Sequence, residues 1–238
     1  MGFRFAGFFR LRQTTLCLVT GLMALCTGLS SPSQAYSPPG DHYLCDFPEG
    51  LQRYRHFRWY PEEFPLKIYI PPIQSAVENP DMYASIIKNA FSAWQQHLPG
   101  LQFVWVNHPE EASIRVKWVE HFPESEGIWG QALFPVPQPP RFQTHNSEIH
   151  LTLRAQQGTG IGTGSPLFSS EELMAIATHE VGHALGLPHS KDPEDIMTPY
   201  IFRLTAQSQW KITSRDLNTL TYLYRLPRNL KVPPCNGR

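Results

Sequence analysis

Three of the chain's ten histidines fall within eleven residues of the stretch AIATHEVGHALGLPHSKDPEDIM, residues 175–197. His179 and His183 stand four apart, so on a helix they project from one face, about one turn from each other. Two imidazoles placed this way can reach a single ion at about 2 Å each. Glu180 follows His179 by one residue, about 100° around the helix. It can sit beside such an ion without binding it, where a carboxylate would act as a base. The next helical turn does not easily complete a tetrahedral set. Gly186 offers another route: the backbone can turn sharply there and swing Leu-Pro-His round, so that His189 approaches from a new direction. Three neutral imidazoles leave a fourth position open for water, the arrangement of a catalytic zinc site and not of a structural one. The alternative is a helix whose histidines are surface decoration or are buried and tied to the backbone. The short H-E-x-x-H pattern occurs by chance in unrelated proteins. The longer H-E-x-x-H-x-x-G-x-x-H weighs toward the metal.

Such residues need a helix to carry them and a sheet to hold it. Ser169 and Glu172 form a capping box at the start of SSEELMAIATHEVGHALG, Glu171 and Glu172 suit the positive helix start, and Gly186 marks its end. Upstream, residues 79–98 place Tyr83, Ile86, Ile87, Ala90, Phe91 and Trp94 at helical spacing, with Leu98-Pro99-Gly100 as the stop. Residues 213–226 predict a third helix, capped by Thr213 or Ser214, with Leu217, Leu220 and Tyr224 on one face. Strands are expected at 66–72, 101–107, 112–122 and 147–154. In the third of these, Ile114, Val116 and Trp118 alternate with Ser113, Arg115 and Lys117, giving one buried and one wet face. Residues 130–137 fit a short edge strand, since their prolines would spoil a central one. The Gly/Thr loop 155–166 matches no phosphate-binding fingerprint. The mixed order of strands and helices predicts one α/β or α+β domain over roughly residues 60–230.

The rest of the composition narrows the setting. Twenty basic residues balance twenty acidic ones without a basic stripe, which weighs against nucleic acid and anionic membrane as partners. Arg4, Arg10 and Arg12 precede an uncharged run from Thr14 to Leu29, and Ser33 and Ala35 fit a signal cleavage site, placing a signal peptide at 1–35. An uncleaved anchor is the alternative, but the run is short for a bilayer span. Residues 36–63, rich in Pro, Arg and aromatics, read as an arm laid against the domain. Residues 64–228 would be the domain itself and 229–238 a tail. After cleavage only Cys45 and Cys235 remain, one near each end. In an exported chain that suggests a disulfide closing a long loop, with two free thiols as the alternative.

HEVGHALGLPHS followed by DIMTPY resembles the matrixin branch of the metzincin zinc metallopeptidases. Residues 64–226, including AFSAWQQHLPGLQFVWV and ASIRVKWVEHF, are similar to that catalytic domain in order and spacing. The resemblance implies an α+β, zincin-like fold: a twisted, mostly parallel sheet with an antiparallel edge strand, an active-site helix, a Met-turn and a C-terminal helix. It implies one catalytic zinc on His179, His183 and His189, with Glu180 as general base and Met197 as the methionine beneath the metal. It also implies that Pro199 and Tyr200 wall a substrate pocket, although Tyr200 directly follows Pro199 where many matrixins have a residue between. Ile201 or Phe202 could take its place. The family's calcium and structural-zinc segment is not matched: residues 130–160 contain no aspartate and offer only His145 and His150 as strong zinc ligands. The expectation is no structural zinc, and calcium only through backbone carbonyls, if any. The family's inhibitory cysteine belongs to a longer prodomain, so Cys45 as a zinc cap is a minor alternative to the disulfide.

The expected function is therefore a secreted or extracytoplasmic zinc endopeptidase, monomeric, without stable membrane insertion after signal cleavage. A protein or peptide substrate would pair in extended form with the edge strand at Gln131, Ala132, Leu133 and Phe134. A peptide-binding or envelope structural module that keeps zinc without catalysis is the other class. An intact Glu180 weighs against it.

Overall fold

Short strands with alternating burial and two longer amphipathic segments build a sheet covered by helices. In the computed structural model the described residues are 41–46, 58–73, 77, 79–120, 122, 128–133, 146–154, 167–200 and 210–227. All lie within one unit, Ser37–Arg238. The strands are β1 (Leu66–Tyr69), β2 (Phe103–Val106), β3 (Ile114–Val119), β4 (Gly130–Leu133) and β5 (Ser147–Thr152), and the α-helices are α1 (Pro80–Gln95), α2 (Ser170–Ala184) and α3 (Ser214–Arg225). The sheet order is β2-β1-β3-β5-β4. The first three pairings are parallel and β4 runs antiparallel to β5 at the edge. This is the expected α+β architecture with a mostly parallel sheet.

Leu66, Ile68, Ile114, Val116, Ile149 and Leu151 enter the core from the sheet. Tyr83, Ile86, Ile87, Ala90, Phe91 and Trp94, the apolar stripe legible in the sequence, meet them from α1. Full burial of one such aliphatic or aromatic side chain is worth ~1.5–3 kcal/mol, so the stripe holds α1 firmly in place. The Trp94 Nε1–H donates to the Thr178 carbonyl at 2.9 Å. α1 thereby grips α2 one residue before His179.

The segment expected as an arm reaches into this core. Tyr43 and Trp59 are buried in it. The Trp59 Nε1–H donates to the Ala184 carbonyl at 2.8 Å, satisfying one of the acceptors left over at the end of α2. Leu44 packs with Tyr222, Leu223 and Leu226 around α3. Among the described residues no helix is long and apolar enough to cross a membrane.

Candidate metal and catalytic site

The site is set by where α2 starts and stops. Ser169 Oγ accepts from the Glu172 N–H at 3.1 Å and Glu172 Oε2 accepts from the Ser169 N–H at 2.8 Å. This reciprocal cap fixes the first turn and so the rotational setting of every later residue. From Ala175 to Ala184 each residue is buried, so α2 runs through the protein and not along its surface. Its end is a Schellman turn: Leu187 N–H donates to the Gly182 carbonyl at 3.0 Å and Gly186 N–H to the His183 carbonyl at 2.7 Å. Gly186 holds a φ of 102°, a left-handed conformation in which a side chain would be strained. The turn sends Leu187, Pro188 and His189 back past the helix.

The three imidazoles come together. The ligand-capable nitrogens of His179, His183 and His189 all lie within 4.8 Å of one another. The ring centroids are 4.6 Å apart for His179–His183 and for His183–His189, and 5.4 Å for His179–His189. His179 Nδ1 is 2.7 Å from the Ile196 carbonyl, and His183 Nδ1 is 2.7 Å from the Leu187 carbonyl. A carbonyl can only accept, so each Nδ1 carries the proton and each Nε2 keeps a lone pair for a metal. Burial, helped by the His189 charge, pulls His179 down to about 3. Burial also drives His183 well below its ordinary value and lowers His189. All three are then neutral at physiological pH, the form that binds a metal.

Glu180 stands beside them, buried, and burial pushes its carboxyl up to about 8, against a hydrogen bond from the Ala132 backbone that pulls it down. Its Oε2 is buried without a hydrogen-bond partner. An unsatisfied carboxyl oxygen of this kind is costly in a site built only to pack, and a neighbouring cation would favour its ionised form. The neutral three-histidine donor set and this oxygen therefore both fit a divalent ion such as zinc.

Two glycines make the geometry possible. A Cβ on Gly130 would stand 2.6 Å from Glu180 Cγ and Oε1, so β4 can lie against the carboxylate only because residue 130 has no side chain. A Cβ on Gly182 would collide with Met197 Sδ and meet Trp94 Cζ2 at 3.0 Å. Met197 is fully buried and belongs to the turn Asp195–Thr198, closed by Thr198 N–H to the Asp195 carbonyl at 3.0 Å. The thioether thus packs on α2 at Gly182, between the two helical histidines in sequence.

A profile of the family described as Matrixin matches residues 58–225. The chain belongs to the matrixin family. It is 27% identical to karilysin of Tannerella forsythia over 154 residues, covering 62% of this chain and 29% of karilysin. It is 29% identical to human matrix metalloproteinase-16 over 161 residues, covering 62% of this chain and 24% of that protein. With metalloendoproteinase 1 of Glycine max it shares 30% identity over 128 residues, covering 51% and 39% respectively. The matched stretch therefore spans less than a third of the length of the first two relatives.

Other expected site residues of this matrixin fall as follows. Gln131, Ala132 and Leu133 lie in the edge strand β4, while Phe134 lies outside the described residues. Thr152 N–H bonds the Trp129 carbonyl and Ser147 Oγ bonds the Leu133 carbonyl. Antiparallel alternation then turns the backbone groups of Gln131 and Leu133 toward β5 and those of Gly130 and Ala132 away from it. Pro199 and Tyr200 are exposed just after the Met197 turn. Ile201 and Phe202, Cys235 and His145 lie outside the described residues. His150 directs Nε2 at Glu148 Oε2, 3.0 Å away, an oxygen that also takes Lys117 Nζ at 2.7 Å. Gly130 was the residue missed by sequence reasoning. Its signal was a glycine opening a short strand, which marks a close approach, but nothing local said what approaches.

Proposed function

We propose that this matrixin is a zinc-dependent endopeptidase that hydrolyses protein or peptide substrates, with Glu180 as general base. The observation that carries the reading is the convergence of three neutral histidines, two of them Nδ1-anchored, with the next residue after His179 on α2 a buried carboxylate whose Oε2 has no partner. His179, His183 and His189 would hold the zinc, which supplies a Lewis acid for a peptide carbonyl and for water. Glu180 takes a proton from the attacking water and passes it to the leaving nitrogen as the C–N bond breaks. Its carboxyl is suited to that exchange because burial makes protonation easy, while the Ala132 N–H keeps one oxygen in place. The substrate backbone pairs with the outward groups of Gly130 and with the Ala132 carbonyl, the Ala132 N–H being held by Glu180, so the expected edge, Gln131 to Phe134, begins one residue earlier. Pro199 and Tyr200 would meet the substrate beyond the cut bond, a role supported by their exposure beside the Met197 turn.

The wider reading is of an exported, monomeric protein: a signal peptide at 1–35, a mature domain that includes the arm, and a Cys45–Cys235 bridge. The bridge is supported by Cys45 being disulfide-bonded. Glu180→Ala should abolish cleavage of a peptide library while zinc content stays that of the wild type. Full activity in that variant overturns the mechanism, and an active wild type that contains no zinc and ignores chelators overturns the metal assignment.

A further inference from the structure

The contacts that orient the histidines lead outward to the N-terminal segment 41–46. The Ile196 carbonyl receives the His179 proton, and the Ile196 N–H donates to Asp216 Oδ2 at 3.1 Å. The other oxygen of Asp216 accepts from the Tyr43 hydroxyl at 2.9 Å. A second route reaches the same segment through Arg215. Its Nη1 donates to Ser190 Oγ at 2.6 Å and to Asp195 Oδ2 at 2.7 Å. Its Nη2 donates to Asp46 Oδ2 at 2.7 Å, and its Nε lies 3.2 Å from Asp41 Oδ2. The guanidinium stands 5.2 Å from the centre of the Tyr43 ring. Ser190 directly follows His189, and its N–H donates to the Met197 carbonyl at 2.8 Å. Asp46 Oδ2 also accepts from the Lys191 N–H at 3.3 Å.

The partners of this segment are thus not scattered over the core. They are the residue after one metal-ligand candidate, the turn that carries Met197, and the residue whose carbonyl orients another. A planar fork with five donors in fixed directions bridges three segments at once, where an ammonium offers three donors on a flexible stem.

We propose that segment 41–46, held through Arg215 and Tyr43, is a positioning element of the metal site: it sets the heading of the loop that carries His189 and of the turn Asp195–Thr198. The site reaches its metal-binding geometry only while the segment is docked. This inference rests on the reading that the three histidines hold zinc.

The test uses the full chain with Asp46→Asn, Tyr43→Phe and Arg215→Lys. Zinc affinity is measured by competition with a chromophoric chelator, and the visible spectrum is recorded after cobalt(II) substitution. The expected result is a loss of affinity of about tenfold, the range for contacts that orient metal ligands, with an altered cobalt spectrum. Asp46→Asn and Arg215→Lys combined should lose less than the sum of their single effects, because both act at one contact. A clamp that only holds the fold would lower the melting temperature and leave zinc affinity and spectrum untouched. That result in Asp46→Asn and Tyr43→Phe, the two mildest changes, overturns the proposal. If the wild type itself binds neither zinc nor cobalt, the proposed function falls as well; if it binds metal and cleaves peptides while the variants match it, this inference alone falls.

Discussion

Gly130→Ala isolates the contact between the edge strand and the base. The added methyl would stand 2.6 Å from Glu180 Cγ and Oε1 and 2.9 Å from its Cδ. Carbon contacts settle near 3.5–4.0 Å, so the strand or the carboxyl must move by roughly 1 Å. β4 is held by its ladder to β5 and Glu180 is enclosed, so neither yields freely. Overpacking of this kind costs about 1–3 kcal/mol, and the lower chain entropy of alanine returns about 0.4–1 kcal/mol. The net loss of at most about 2.5 kcal/mol lowers the melting temperature by about 2–4 °C per kcal/mol in a domain of this size. Catalysis should suffer more, since a 1 Å misplacement of a reacting group costs on the order of 100-fold. The assay is peptide cleavage kinetics beside zinc content and thermal melting. Expected are a kcat/KM lower by about 100-fold, zinc unchanged, and a modest fall in melting temperature. A Glu180→Ala background removes the three atoms nearest the methyl, so its thermal cost should shrink. Cleavage by Gly130→Ala within twofold of the wild type would refute the reasoning.

Other outcomes follow from the same geometry. Gly182→Ala improves helix propensity by about 1 kcal/mol yet drives a methyl into Met197 and against Trp94 at a cost of about 1–3 kcal/mol, so melting should show a net loss of up to about 2 kcal/mol; a stabilised variant would mean that the turn gives way freely. Trp59→Phe removes the donor to the Ala184 carbonyl and should cost about 1–3 kcal/mol in denaturant unfolding. The pH dependence of the chelated protein has a definite sign. His179 is depressed to about 3, and His183 and His189 are lowered too, mainly by burial. Their stabilisation is full above the unfolded value near 6.5 and is lost as pH falls toward 3, by several kcal/mol in all. Asp216, raised by burial to about 6, acts oppositely: its contribution is present below about 3.8 and lost as pH rises through about 6. Glu180, raised by burial to about 8, acts in the same direction as Asp216. The test therefore uses the chelated Glu180→Ala variant, in which three histidines oppose one carboxyl and the melting temperature should fall on acidification from pH 7 to 4. A rise over that interval would contradict the burial of the histidines.

What could be seen in the sequence was local. His179 and His183 share a face by helical spacing, Gly186 carries the turn that brings His189 back, and the Ser169–Glu172 box starts the helix where the residue types say it should. The apolar stripe of α1 and the alternation of Ile114 and Val116 likewise depend on near neighbours. Contacts between distant residues were not legible. Nothing around Gly130 announces Glu180, and nothing around Tyr43 or Asp46 announces Arg215, because no periodicity links positions so far apart. The same gap explains why residues 36–63 read as an arm: Tyr43 and Trp59 stand in irregular chain, and only tertiary structure shows that they are core.

The two anchoring acceptors, the carbonyls of Leu187 and Ile196, have a genetic consequence. Both belong to the backbone, and every one of the twenty residues supplies a carbonyl there. No single substitution at 187 or 196 can delete the bond that chooses the histidine tautomer. A codon-by-codon scan would pass over both positions and score only their packing. The orientation of these imidazoles is written in the number of residues between Gly186 and Met197, so adding or removing one residue in that interval should disable the site where replacing Leu187 or Ile196 keeps the anchoring carbonyl.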